Sequence, residues 1–239
     1  MPSVAELTPL YTNFMLGPRP GPDVCHRCFN FTRGFDRCYA CDHTEAWLAA
    51  IAPISYSVAG EQLHHALRQY KRVGGMAGRR LILELSSVLW RYLSAHEPCL
   101  ASAAGVERFE LVATVPSGDQ SRDQAHPLRT IVGEIVVPLA ERHERLLRRS
   151  SHDVAPRVCA PRKFDAARRL DGEAVLLIDD TWTTGASAQS AAAALREAGS
   201  GPVAALVIGR YLNREWHDND RRLRGITQPF DWQRCAFCR

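Results

Sequence analysis

The stretch VLLIDDTWTTGAS, residues 175–187, limits the possible folds more than any other part of the chain. Four apolar residues lead into the adjacent acids Asp179 and Asp180, and a threonine-rich turn follows, with Trp182 inside it. A short apolar run closed by turn residues reads as a buried strand, here AVLLID. SAQSAAAALREAG then reads as a helix with a glycine stop, and PVAALVIGRY as a second strand. Strand, helix and strand in that order imply parallel pairing with a right-handed crossover. The expected fold class is therefore α/β, a parallel sheet flanked by helices.

The strand end carries the chemistry. Ligands of open α/β sheets bind beyond the carboxyl ends of the strands. Gly185 allows backbone to approach a ligand closely. The amides of Thr183, Thr184, Gly185, Ala186 and Ser187 open a helix and suit a phosphate, and Thr183, Thr184 and Ser187 add hydroxyls. Asp179 and Asp180 would repel that phosphate, but they can accept hydrogen bonds from vicinal hydroxyls or help hold a hydrated Mg²⁺. A ribose 5-phosphate satisfies both halves. Neither G-x-x-x-x-G-K-[ST] nor G-x-G-x-x-G fits the turn, and a DxD phosphatase needs an acid where Thr181 stands. A capped helix after a strand would explain the threonines and the glycine, but not the paired acids. Trp182 could stack on a base or pack under the turn, and both stay open.

Upstream, TEAWLAAI suggests a short helix, and YSVAGEQLHHALRQYKRV is spaced for another. LILELSSVLWRYLSAH predicts a long amphipathic helix after Gly74-Gly75, and FELVATVP a strand ended by Pro116. PLRTIVGEIVVPLAERHERLL predicts a helix that Pro138 must kink or split, with the arginines of 142–149 on a solvated helix face. Residues 148–171, polar, basic and broken by Pro156 and Pro161, predict a long mobile loop.

Six of the eight cysteines form C-x-x-C pairs. Cys25, Cys28, Cys38 and Cys41 supply four soft ligands within nineteen residues that lack apolar periodicity, which fits a structural Zn²⁺ in a closed Cys₄ site. For Cys235 and Cys238 three readings stand: a redox pair, half of a second metal site, or two small hydrophobes. A tail that folds back could also replace an N-terminal knuckle. Cys99 and Cys159 stand alone, with structural roles expected. The expected organisation is a Pro-rich lead-in and Cys₄ module over 1–43, an α/β domain over 44–215, and a tail with C-x-x-C over 216–239.

I-D-D-T-W-T-T-G-A-S resembles the 5-phosphoribosyl 1-diphosphate (PRPP) motif of type I phosphoribosyltransferases. The C-x-x-C…C-x-x-C module ahead of it narrows the resemblance to the ComF-like members, a group that includes competence-associated proteins. Tyr70-Lys71 before Gly74, and the strand ending Val115-Pro116, extend it over most of 25–210. The resemblance implies the type I phosphoribosyltransferase fold and a Mg²⁺-dependent transferase that moves phosphoribose from PRPP to an acceptor and releases pyrophosphate. By similarity, Asp179 and Asp180 hold the ribose hydroxyls, and residues 183–187 wrap the 5′-phosphate. Ser117, Gly118, Arg122 and Lys71 face the pyrophosphate, although S-R-D-Q-A-H-P keeps only one Arg and a Gln of the commoner R-R-G-F-N-Q type run. Arg157, Arg162 and Lys163 supply cations from a closing flexible loop, with Lys163 also expected on the pyrophosphate side.

Of the 30 basic residues only Lys71 and Lys163 are lysines, which singles both out. No apolar run reaches the roughly 20 residues of a membrane span, and MPSVAELTPLYTNFM has no signal-like pattern, so a cytoplasmic protein is expected. The net charge of +4 does not by itself demand nucleic acid. The alternative to catalysis is a PRPP or nucleotide sensor, or a competence-type accessory protein acting in single-stranded DNA uptake. DNA binding of that kind falls steeply with salt. A small-molecule acceptor is the expected second partner, no membrane partner is expected, and a homo-oligomer is allowed.

Overall fold

The computed structural model describes residues 3–117 and 126–238. The strands, in chain order, are β1 (Ala50–Val58), β2 (Leu111–Thr114), β3 (Leu147–Arg149), β4 (Phe164–Ala166), β5 (Val175–Trp182) and β6 (Val203–Leu212). The helices are α1 (Val4–Leu7), α2 (Pro9–Thr12), α3 (Tyr39–Asp42), α4 (Gln62–Gln69), α5 (Gly75–Ala103), α6 (Pro127–Thr130), α7 (Val137–Ala140), α8 (Ala186–Glu197) and α9 (Asn219–Arg224). Among the described residues, the central sheet is parallel throughout and runs β1-β6-β5-β2.

Alternation along the strands divides the core in two. Leu176, Ile178, Ala204, Leu206 and Ile208 face α4 and α5, where Leu63, Leu67, Leu85, Val88 and Leu89 are buried. Val175, Leu177, Val203, Ala205 and Val207 face α8, whose Ala188, Ala191, Ala192 and Ala194 let it lie close to the sheet. The result is a mixed α/β molecule with helices on both faces of a parallel sheet. The cysteines of the N-terminal module belong to the α8-side core, and Phe230, Trp232 and Cys235 of the tail to the α5-side core. Packing is thus continuous across residues 43 and 215.

The first strand departs from expectation. TEAWLAAI forms no helix, and β1 begins at Ala50. The amides of Trp47 and Leu48 donate to Gln189 Oε1 of α8, at 3.0 and 3.1 Å, which holds the preceding segment extended. Pro53 is tolerated because β1 is an edge strand with β6 as its one ladder partner. Further along, Leu16 covers the open edge by accepting from the Tyr56 amide at 2.8 Å.

Two more expectations need correcting. The segment 127–147 is not one helix but α6, a π turn over Ile131–Ile135, and α7. The break falls at Val136, two residues before Pro138, whose ring suits the first turn of α7. The arginines of 142–149 therefore do not share a helix face, and Arg142 instead grips Glu97 of α5 through two bonds of 2.6 and 3.0 Å. Residues 148–171 are not irregular throughout: β3, which begins at Leu147, pairs antiparallel with β4, and Leu147 and Phe164 are buried.

Gly209 of β6 sets the distance between α4 and the sheet. A Cβ there would lie 2.6 Å from Leu67 Cδ1 and 2.7 Å from Ser57 Cβ. Gly209→Ala should cost about 1–3 kcal/mol through overpacking, seen as a lower urea midpoint at unchanged slope. A midpoint within error of wild type would mean that α4 is free to shift.

Candidate functional site

Strands β1, β2, β5 and β6 end on one edge of the sheet, and the candidate residues gather there. β5 runs through both acids to Trp182, three residues beyond the expected strand AVLLID, because β6 is long enough to pair Thr181 with Gly209 and Trp182 with Arg210. Adjacent side chains on a strand diverge. Asp180 is 4% exposed and points to the α4 side. There Tyr70 Oη donates to its Oδ2 at 2.5 Å, and Lys71 Nζ pairs with the same oxygen. The Tyr70 hydroxyl is held far above its usual pKa by burial first and by the Asp180 charge second.

Asp179 is half-buried and accepts the Asp180 amide at 2.8 Å. Burial, reinforced by the neighbouring Asp180 charge, pushes its carboxyl up to about 7, against the pull of Lys71 and Lys163. Lys163 ends a 3₁₀ turn, is 7% exposed, and donates to Ser187 Oγ at 3.0 Å. Burial, and then the Arg149 charge, lowers its pKa. Its direct partner is thus on the Thr183–Ser187 turn. The chain's two lysines, far apart in sequence, both reach the motif.

The turn has a specific internal support. Gly185 has φ +84°, and a Cβ there would sit 2.0 Å from Trp182 Cζ2. Trp182 is 2% exposed, so it packs beneath the turn and is closed to base stacking. Above it, Ala186 donates to Thr184 Oγ1 at 3.3 Å, and the remaining first-turn amides of α8 have no partners within the helix. Ser117 lies three residues past β2, and His126 meets Tyr70, the partner of Asp180, edge-on at 6.2 Å. Gly118 and Arg122 lie outside the described residues. Arg157 and Arg162 are exposed, and Arg157 takes a left-handed φ of 64°.

Arg210 is a residue of the candidate site that the sequence does not single out. Only 3% exposed, it donates to Cys28 O at 3.0 Å, Trp182 O at 3.2 Å, Thr183 O at 3.1 Å and Tyr211 O at 2.7 Å. Its other terminal nitrogen lies 3.7 Å from Cys28 Sγ. Among the described residues, no carboxylate pairs with it. Nothing in GRYLN marks this arginine out from 27 others.

Two groups of side chains could hold a metal ion such as zinc. In the first, Cys25, Cys28, Cys38 and Cys41 are all buried, with ligand atoms within 4.8 Å of one another. The second joins Cys235 and Cys238 to His96 and Cys99 of α5 at the same spacing. The tail therefore does not replace an N-terminal knuckle, and Cys99 does not stand alone. His96 was missed, although H-x-x-C on a helix places both side chains on one face.

Two outcomes follow from this geometry. Gly185→Ala should destabilise the protein by more than the roughly 1–2 kcal/mol of a left-handed alanine, and combining it with Trp182→Ala should remove the excess. Additive losses in that double-mutant cycle would separate the ring from the turn. Because the folded pKa of Asp179 is raised, the native state holds its proton longer than the unfolded chain. Stability then falls as pH rises from about 4 to 7 and levels off above. Asp179→Asn should flatten that slope in urea titrations across the window.

A scan against models of known protein families finds no match for the chain, and a search of curated proteins finds no relative.

Proposed function

We propose that the chain is a Mg²⁺-dependent phosphoribosyltransferase of the type I, ComF-like kind, using PRPP as donor. One observation carries this reading. The strand-end acids and the Thr183–Ser187 turn lie side by side, and each half has its own lysine. A diol beside a 5-phosphate matches that order of acceptors and donors.

The division of labour follows from the contacts. Asp180, neutralised by Lys71 and oriented by Tyr70, is a fixed acceptor for a ribose hydroxyl. Asp179 is the more open oxygen donor on this edge and would hold Mg²⁺ or a second hydroxyl. Bound with PRPP, Mg²⁺ would spread the charge of the leaving pyrophosphate. Lys163 is a desolvated cation whose direct partner is a neutral hydroxyl, so a phosphate in the turn would restore what burial costs it. The C1–O bond to pyrophosphate breaks, the acceptor bonds to C1, and the acceptor gives up a proton. A dissociative reaction of this kind asks the protein for positioning and charge stabilisation.

The Cys₄ group fits zinc by its chemistry: four buried thiols, with Cys28 and Cys38 sulfurs 3.6 Å apart. The edge of a zinc–thiolate tetrahedron with bonds of about 2.3 Å is about 3.8 Å. Held there, Zn²⁺ would be structural.

Titration calorimetry with PRPP and Mg²⁺ tests the reading, followed by a pyrophosphate-release screen over bases and amines. Wild type should bind, and Lys163→Ala should bind about 10–100-fold more weakly, the worth of one charge-assisted hydrogen bond. No binding by wild type, or unchanged affinity in Lys163→Ala, would count against it. Binding without release for any acceptor would move the assignment to a PRPP sensor.

A further inference from the structure

We infer that His96, Cys99, Cys235 and Cys238 form a second zinc site, of the Cys₃His type, which pins the C-terminal tail to α5. The ligand atoms converge from two distant segments. His96 and Cys99 lie one turn apart on α5, and the tail brings Cys235 and Cys238 against them. Cys238 Sγ is 3.6 Å from His96 Nδ1, Cys99 Sγ is 4.0 Å from the same nitrogen, and the two tail sulfurs are 3.2 Å apart. Tetrahedral zinc with Zn–S of about 2.3 Å and Zn–N of about 2.0 Å has edges of about 3.5–3.8 Å, so small movements would complete the site.

The surroundings are those of a metal knuckle. His96 Nε2 lies 3.0 Å from the Trp232 carbonyl oxygen. A carbonyl can only accept, so the proton sits on Nε2, and Nδ1 turns a free lone pair towards the sulfurs. Metal-bound histidines are held in this way. The amides of Phe237 and Cys238 donate to Cys235 Sγ at 3.3 and 3.2 Å, and the Cys235 amide to Cys238 Sγ at 3.1 Å. Such bonds favour thiolates. A redox pair needs only two cysteines and leaves the convergence of His96 and Cys99 without purpose. Three soft sulfurs and an imidazole select zinc over Mg²⁺ or Ca²⁺.

The tail has other anchors. Trp232 Nε1 donates to Thr12 Oγ1 at 2.9 Å, and Arg91 lies over the Trp232 ring at 4.5 Å. These fix residues up to 232, whereas the metal would fix the last turn.

The inference does not depend on PRPP binding, and it is tested by metal content of the full chain. Zinc-replete wild type should carry about two Zn²⁺. Cys25→Ser/Cys28→Ser and Cys99→Ser/Cys238→Ser should each lose about one, and the second pair should keep the N-terminal ion. His96→Cys keeps four ligands and so tests the site without emptying it. Loaded with Co²⁺, it should show stronger sulfur-to-metal charge transfer than wild type. Wild-type zinc content in Cys99→Ser/Cys238→Ser, or a Cys235–Cys238 disulfide in the zinc-replete protein, would overturn the assignment.

Discussion

The Arg210 guanidinium is the interaction on which the rest of the edge depends. It starts on β6, holds the carbonyls of Trp182 and Thr183 where β5 becomes the turn, and reaches the carbonyl and sulfur of Cys28. A buried cation without a carboxylate is costly unless charge comes from elsewhere. Four thiolates around one divalent cation carry a net charge of two minus, and that is the counter-charge within reach. With a metal bound, the Cys₄ module would thus have an electrostatic role in the α/β core beside its own folding. Neutral thiols at Cys25, Cys28, Cys38 and Cys41 would leave Arg210 with dipoles alone.

From that anchor the site is arranged by steric and electrostatic fit. Trp182 fills the space under Gly185, so the turn cannot collapse into the core, and the left-handed glycine cannot be replaced without moving the ring. Asp180 is stabilised in place by Tyr70 and Lys71. Asp179 is left as the acid whose protonation changes near neutrality. The closeness of α4, set by Gly209, positions the Tyr70–Lys71 pair.

What could be read from the sequence was what is local. The β5 strand, the α8 helix, β6 and the long α5 follow from apolar period and glycine stops. The two lysines were conspicuous because an arginine-rich chain keeps so few. The parts that escaped are those decided by partners far along the chain. Gln189 holds Trp47 and Leu48 extended, against the helical spacing of TEAWLAAI. Lys163 bonds Ser187, which ties the end of a segment with two prolines to the first turn of α8. Trp182 was undecided until Gly185 was placed above it. Arg210 and His96 gave no local signal strong enough, because one is an arginine among many and the other a histidine inside a helix.

The two cysteine-rich clusters bear on opposite faces of one sheet. Cys25, Cys28, Cys38 and Cys41 sit with the α8-side core, and Cys235 with the α5-side core. A chain of 239 residues can bury a sizeable core without such staples. The clusters lie at the margins of that core and tie to it the two segments with least apolar surface of their own: a nineteen-residue module without apolar periodicity and the last turn of a tail. The first cluster is joined through Arg210 to the candidate turn, whereas the second is joined to α5, at the far end of the helix from Gly75. Loss of metal from the first would therefore be felt at Trp182 and Thr183. Loss from the second would free only the last turn of the tail, beyond Trp232, and leave Asp180, Tyr70 and Lys71 in contact.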